Sequence, residues 1–83
     1  MLNVLFFASL RESLGLSQDS IPTPSPATVA ELIVVLRTRG DAWERALAPD
    51  KRWRVAVNQE MATLSTPLKV GDEVAIFPPV TGG

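Results

Sequence analysis

Val74-Ala75-Ile76-Phe77, followed without a break by Pro78-Pro79-Val80-Thr81-Gly82-Gly83, closes the chain and decides how the rest of it is read. The apolar run has the bulk of a β-strand, and Gly71-Asp72 shortly before it supplies a turn, which predicts a final strand from Glu73 to Phe77. The two prolines then end it, because proline holds φ at about −65° and donates nothing to a sheet ladder. Two terminal glycines strip the end of side chains, so that the backbone fits a narrow cleft. Six residues at roughly 3.3 Å each reach about 20 Å, enough to carry a terminal carboxylate from a folded body into a partner's buried site. Residues 78–83 are therefore read as an extended, flexible arm. Taken alone, the diglycine also fits a frayed terminus or a cloning scar.

Working back from that strand, Leu2 to Ala8 has the same period of two, with Leu2, Val4, Phe6 and Ala8 on one face and Asn3, Leu5 and Phe7 on the other. After the polar stretch Arg11-Glu12-Ser13-Leu14-Gly15, Ser17 to Ile21 is expected to pair back as a hairpin strand, and Pro22, Pro24 and Pro26 break any regular element beyond it. Thr28-Val29-Ala30-Glu31 has the form of a capping box, and Val29, Leu32, Ile33 and Leu36 then recur at i, i+3, i+4 and i+7. This is the main helix, with Arg37 and Arg39 at its negative end and Gly40 as its stop. A second short helix is expected from Asp41, as its cap, to Ala48, with Trp43 and Leu47 on one side and Pro49-Asp50 ending it. Arg52 to Val57 reads as a strand with Trp53, Val55 and Val57 on one face, Asn58-Gln59 as a turn, and Glu60 to Leu64 as a short returning strand.

The pattern is an α+β arrangement, an antiparallel-rich sheet with its helix packed on one face, in a single domain spanning residues 1–83. If Val4, Phe6, Val74 and Ile76 point at the helix, period-two geometry puts Leu5, Phe7, Ala75 and Phe77 on the opposite face. No second helix of suitable length remains to cover them. Such a patch reads as a partner surface, with packing under a loop as the alternative.

Composition limits the chemistry. The 83 residues contain no cysteine and no histidine, which removes disulfides and the usual ligands and bases of zinc, haem, iron–sulfur and imidazole chemistry. The chain is a poor candidate for a self-contained enzyme, and no metal is expected. Eight basic against nine acidic residues give a net charge of −1, which argues against nucleic acid and anionic membranes as partners. Lys51-Arg52-Trp53-Arg54 looks like a basic aromatic motif, yet its period reads better as a solvated face over a core tryptophan. The opening Met1-Leu2-Asn3-Val4 has no positive leader, and the aliphatic run Leu32 to Leu36 is too short to span a bilayer, so a cytoplasmic location is expected.

Three stretches carry a family resemblance: Val4-Leu5-Phe6-Phe7-Ala8 with Leu10-Arg11-Glu12; Ala56-Val57-Asn58-Gln59; and Gly71-Asp72-Glu73-Val74-Ala75 with the ending Phe77 to Gly83. With them the chain resembles the sulfur-carrier proteins of β-grasp, ubiquitin-like fold, and within them the small-subunit branch of molybdopterin synthase. The resemblance covers nearly the whole chain. A diglycine alone would also fit ubiquitin-like modifiers, or carriers serving thiazole formation or RNA thiolation, whereas the Pro-Pro-Val-Thr-Gly-Gly ending is more specific. The resemblance implies a mixed sheet of four to five strands with one main helix and a short second one. It implies a Gly83 carboxylate that a separate adenylating enzyme activates with ATP and that becomes a thiocarboxylate fed by a sulfur donor system. It also implies no permanently bound cofactor, and insertion of Pro78, Pro79, Val80, Thr81, Gly82 and Gly83 into the large synthase subunit within a heterotetramer. Phe7, Met61 and Phe77 match the family's apolar docking surface, and Arg11 matches its Leu-Arg-Glu stretch. Met61 reads equally as core, and Arg11 as a solvated loop charge.

Overall fold

The computed structural model describes residues 1–22, 27–49 and 51–78. The alternation at the start of the chain builds β1 (Leu2–Phe6), in which Leu2, Val4 and Phe6 are buried, Asn3 is exposed and Leu5 is half-buried. The stretch after it, expected as the connection of a hairpin, is instead a helix, α1 (Ala8–Leu14), so three helices accompany the sheet where two were expected. A helix this short has no stability of its own. It is held because Leu10 and Leu14, spaced i, i+4, reach the core, and because Gly15 at φ 78° accepts the left-handed turn that stops it. Ala8 takes φ 53°, a left-handed conformation that costs an L-residue about 1–2 kcal/mol and swings the chain out of the sheet. Strand one therefore ends at Phe6 and not at Ala8. β2 (Gln18–Ile21) then pairs antiparallel with β1, Leu2 opposite Ile21 and Leu5 opposite Gln18.

In α2 (Val29–Arg37) the apolar stripe of Val29, Leu32, Ile33 and Leu36 is buried. The Glu31 N–H donates to Thr28 Oγ1 at 3.3 Å, while Glu31 Oε1 accepts from the Ala27 N–H at 3.5 Å. Two further amides of the first turn, which have no partner within a helix, donate to a distant loop: Val29 to the Thr66 carbonyl at 3.0 Å and Ala30 to that of Leu64 at 2.9 Å. Using Leu64 in this way takes it out of the sheet, and β4 (Glu60–Met61) is accordingly shorter than the expected run to Leu64. The helix ends at Arg37 with Thr38 as its cap, and Arg39 lies beyond it, ion-paired with Asp19 of β2 and 4.9 Å from the Trp43 ring centroid. Gly40 at φ 155°, not Asp41, is the N-cap of α3 (Asp41–Ala46), its carbonyl accepting from the Glu44 N–H at 2.9 Å. Asp41 is the first helical residue, where its charge favours the positive end of the dipole.

β3 (Arg54–Val57) and β4 are joined by Asn58 and Gln59, both at positive φ (51° and 69°), the geometry of a tight two-residue hairpin. β5 (Glu73–Phe77) lies between β1 and β3, giving the order β2-β1-β5-β3-β4, with β1 and β5 parallel and the other pairs antiparallel. Leu10, the α2 stripe and Leu47 join Leu2, Val4, Phe6, Ile21, Val55, Val74 and Ile76 in one core on a single side of the sheet. Phe6 meets Trp43 edge-on there at 5.5 Å, and the Trp53 indole N–H donates to the Ala48 carbonyl at 3.1 Å.

Asp72 locks the turn that feeds β5. Its carboxylate accepts from the Asn58 side-chain amide at 3.0 Å and from the Lys69 N–H at 2.8 Å, while Asn58 Oδ1 accepts from the Glu73 N–H at 3.0 Å. The Asn58 hydrogen bond, and then the Lys69 amide, hold the Asp72 carboxyl below its ordinary value of 3.8. The Arg39 hydrogen bond does the same for Asp19.

Two stability outcomes are expected. Phe6→Ala empties a fully buried site and is expected to cost about 3–5 kcal/mol, a large share of the roughly 5–15 kcal/mol available to a small domain, as read by chemical denaturation. Because the folded pKa of Asp72 is depressed, its contribution is complete above the ordinary aspartate value and is lost as pH falls through the lowered one. Asp72→Asn should therefore melt lower at neutral pH, and lose less of its melting temperature than the parent between neutral pH and about pH 3.

Candidate partner-docking face

The face of the sheet turned away from the helices is assembled by register. Leu5 pairs with Ala75, Ala75 with Ala56, and Ala56 with Met61, so these four side chains form one row across four elements on the side opposite the core. The next row holds Phe77 opposite Arg54, with Phe7 alongside, its N–H donating to the Ile76 carbonyl at 3.2 Å. The Phe7 and Phe77 rings meet edge to face, centroids 6.0 Å apart and planes at 76°. Phe7 is 44% and Met61 60% exposed, values that leave their apolar surface available to another molecule. Between Leu5 and Met61 stand the small side chains of half-buried Ala75 and buried Ala56, and no helix of the described residues packs on this side.

Arg11, an exposed residue of α1, stands one helical turn beyond Phe7 and forms no ion pair among the described residues. The expected site residues therefore separate into Phe7, Phe77 and Met61 on a common sheet face, and Arg11 beside it on a helix. Period-two reading had no means of placing Met61. The signal that places it is the two-residue turn: with Asn58-Gln59 as the loop, Val57 must face Glu60 and Ala56 must face Met61. Local alternation assigns Arg54 only to one side of its own strand, and its seat beside Phe77 depends on a β3–β5 pairing that no local pattern announces.

The chain leaves the sheet at half-buried Pro78, directly after Phe77. The expected arm would therefore start at the corner of the face where the two aromatic rings meet. Of the expected insertion residues, Pro79, Val80, Thr81, Gly82 and the reactive Gly83 lie outside the described residues. Among the described residues no group of three or more His, Cys, Asp or Glu side chains is placed to hold a metal ion, and no helix is long and apolar enough to cross a membrane. The described face offers apolar contact with two cations, Arg11 and Arg54, at its edge, a surface suited to binding.

Comparison with known proteins agrees with this geometry. Residues 4–83 match the model of the ThiS family. The molybdopterin synthase sulfur carrier subunit of Haemophilus influenzae is 46% identical over 84 residues, covering the whole of both chains. Among solved structures, the small archaeal modifier protein 1 of H. volcanii superposes with a TM-score of 0.79 at 31% identity, over 95% of this chain and 97% of that one. A complex of subunits 1 and 2 of the molybdopterin-converting factor from Helicobacter pylori contains a chain that matches with a TM-score of 0.68 at 28% identity, over 99% of this chain and 97% of that one. The β-grasp sheet, the match from residue 4 to residue 83 and the identity across a complete relative lead to one assignment: this chain belongs to the ThiS family.

Proposed function

We propose that this chain is the sulfur-carrying small subunit of a molybdopterin synthase, a cytoplasmic protein that donates sulfur from the carboxyl group of Gly83 and has no catalytic power alone. The observation that carries the reading is the seat of the Phe7–Phe77 pair at the root of the arm. A protein bound on those rings stands where the arm begins, so docking and delivery of the terminus are one event. The full-length identity with the Haemophilus influenzae carrier subunit and the two-subunit complex of the Helicobacter pylori relative support the same partner, a larger synthase subunit.

The chemistry starts from the carboxylate. A terminal carboxyl has a pKa of about 3.5, is ionised at neutral pH and is a poor acyl electrophile. A separate adenylating enzyme joins it to the AMP portion of ATP with loss of pyrophosphate, forming a mixed anhydride. A sulfur donor system then supplies sulfide sulfur, AMP leaves, and the terminus becomes a thiocarboxylate. The arm carries this group into the larger subunit, where the sulfur passes to a pterin precursor and water supplies the oxygen that regenerates the Gly83 carboxylate. Phe7, Met61 and Phe77 would dock, with Arg11 available to a carboxylate at the rim. Acid–base and anion-binding groups belong to the larger subunit in this scheme. The likeness to an archaeal modifier protein supports one rival, in which the activated terminus forms an isopeptide bond with protein lysines.

Intact-mass analysis of the protein from its native cell separates the two: one oxygen replaced by sulfur at Gly83 is expected, and a ladder of covalent conjugates without that species would refute the carrier reading. Deleting Gly83, or adding a residue after it, is expected to abolish sulfur transfer to the pterin with the melting temperature unchanged. Phe77→Ala is expected to weaken binding to the larger subunit at least about 30-fold, the equivalent of about 2 kcal/mol for a central aromatic anchor, as measured by calorimetric titration.

A further inference from the structure

Next to the docking face lies a groove of about 460 Å³. Lys51, Arg52 and Arg54 stand exposed around it, and Trp53, Met61 and Leu64 contribute its apolar surface. None of its described lining residues is acidic, and among the described residues none of the three cations forms an ion pair. Three of the chain's eight basic residues are thus gathered at one groove of a molecule whose net charge is −1. Part of its wall is fixed, since the Trp53 indole is tied to the Ala48 carbonyl. The groove is also continuous with the docking face: Met61 belongs to both, and Arg54 is the cross-strand neighbour of Phe77.

We infer that this groove receives an acidic segment, bearing an apolar side chain, of the same protein that docks on the open face; this rests on the larger synthase subunit being that protein. A ring of cations with no acid among its described lining residues attracts carboxylates during approach and fixes the register of docking, while the Trp53, Met61 and Leu64 surface takes an apolar side chain. Nucleic acid fits the site less well. A base-stacking platform needs an open aromatic face, and Trp53 is half-buried with its N–H engaged; a backbone track needs a longer basic surface than three residues on an acidic protein provide.

The test is titration of the purified larger subunit against the parent protein, the double variant Lys51→Glu with Arg52→Glu, the neutral pair Lys51→Ser with Arg52→Ser, and Phe77→Ala, at low and high salt. The charge-reversed pair is expected to bind at least about tenfold more weakly at low salt, mostly through slower association, with the gap narrowing as salt screens it. The serine pair should fall between it and the parent, and the melting temperatures of both should match the parent's because the altered side chains are exposed. Binding of both pairs within about twofold of the parent, with Phe77→Ala still weakened, would overturn this inference and leave the proposed function standing. Failure of the parent to bind the subunit would remove both. Tighter binding of a short oligothymidine than of the subunit would replace the acidic segment with nucleic acid.

Discussion

The parallel pairing of β1 with β5 is the constraint on which the rest of the molecule depends. It sets Val4 beside Val74 and Phe6 beside Ile76 under the helices, and with the same register it sets Leu5 beside Ala75 on the other side. A one-residue slip would exchange the two faces, burying Ala75 and exposing Ile76, so the core enforces the register and the register builds the docking face. Parallel neighbours cannot be joined by a tight turn. Everything from α1 to β4 is the crossover that brings the end of the chain back to lie beside its beginning.

In the proposed function, this placement is what aims the arm that begins at Pro78. β5 is an inner strand, paired with β1 on one side as far as Ile76 and with β3 on the other as far as Phe77, so it is held along both edges up to its last residue, which keeps its β3 partner Arg54. An edge strand would leave the same terminus on a base that frays. The Asp72–Asn58 contact secures the other end of β5 by joining its feeding turn to the β3–β4 hairpin, and the Gly71 N–H donates to the Met1 carbonyl at 2.9 Å, tying that turn to the start of β1. The strand that carries the arm is therefore fixed at both its ends and along its length by groups far apart in sequence.

What could be read in the sequence was what local chemistry states twice. The α2 stripe was announced by both its spacing and the Thr28–Glu31 box, and β5 by an apolar run between a glycine turn and a proline, and both have the expected burial. α1 was missed because its evidence is only Leu10, Leu14 and Gly15. Seven residues have no intrinsic helical stability, and the decision is made by a core that exists only after folding. The same holds for the start of α2, where the Leu64 and Thr66 carbonyls do work that no local pattern shows. At the site, alternation puts Phe7 and Phe77 on a common face and the Asn58-Gln59 turn carries the signal for Met61, whereas Arg54 needs the β3–β5 register, which is a tertiary property.

In the proposed cycle one face and one arm must serve an activating enzyme and an acceptor enzyme in turn. Binding optimised for either would slow release from it, and residence time is where most affinity is set. The composition of the face answers that demand: two aromatic rings supply area at low entropic cost, two alanines present only small side chains, and Met61 adapts its thioether to different surfaces. Such a surface has little power to discriminate between partners. Charge at the margin can discriminate without deepening the apolar contact, because it acts on approach and on register more than on residence. Lys51, Arg52 and Arg54 occupy that position, outside the aromatic corner and continuous with it through Met61 and the Arg54–Phe77 pair. The apolar centre and the cationic rim thus divide the work, the first tolerating exchange between partners and the second limiting which of them is exchanged.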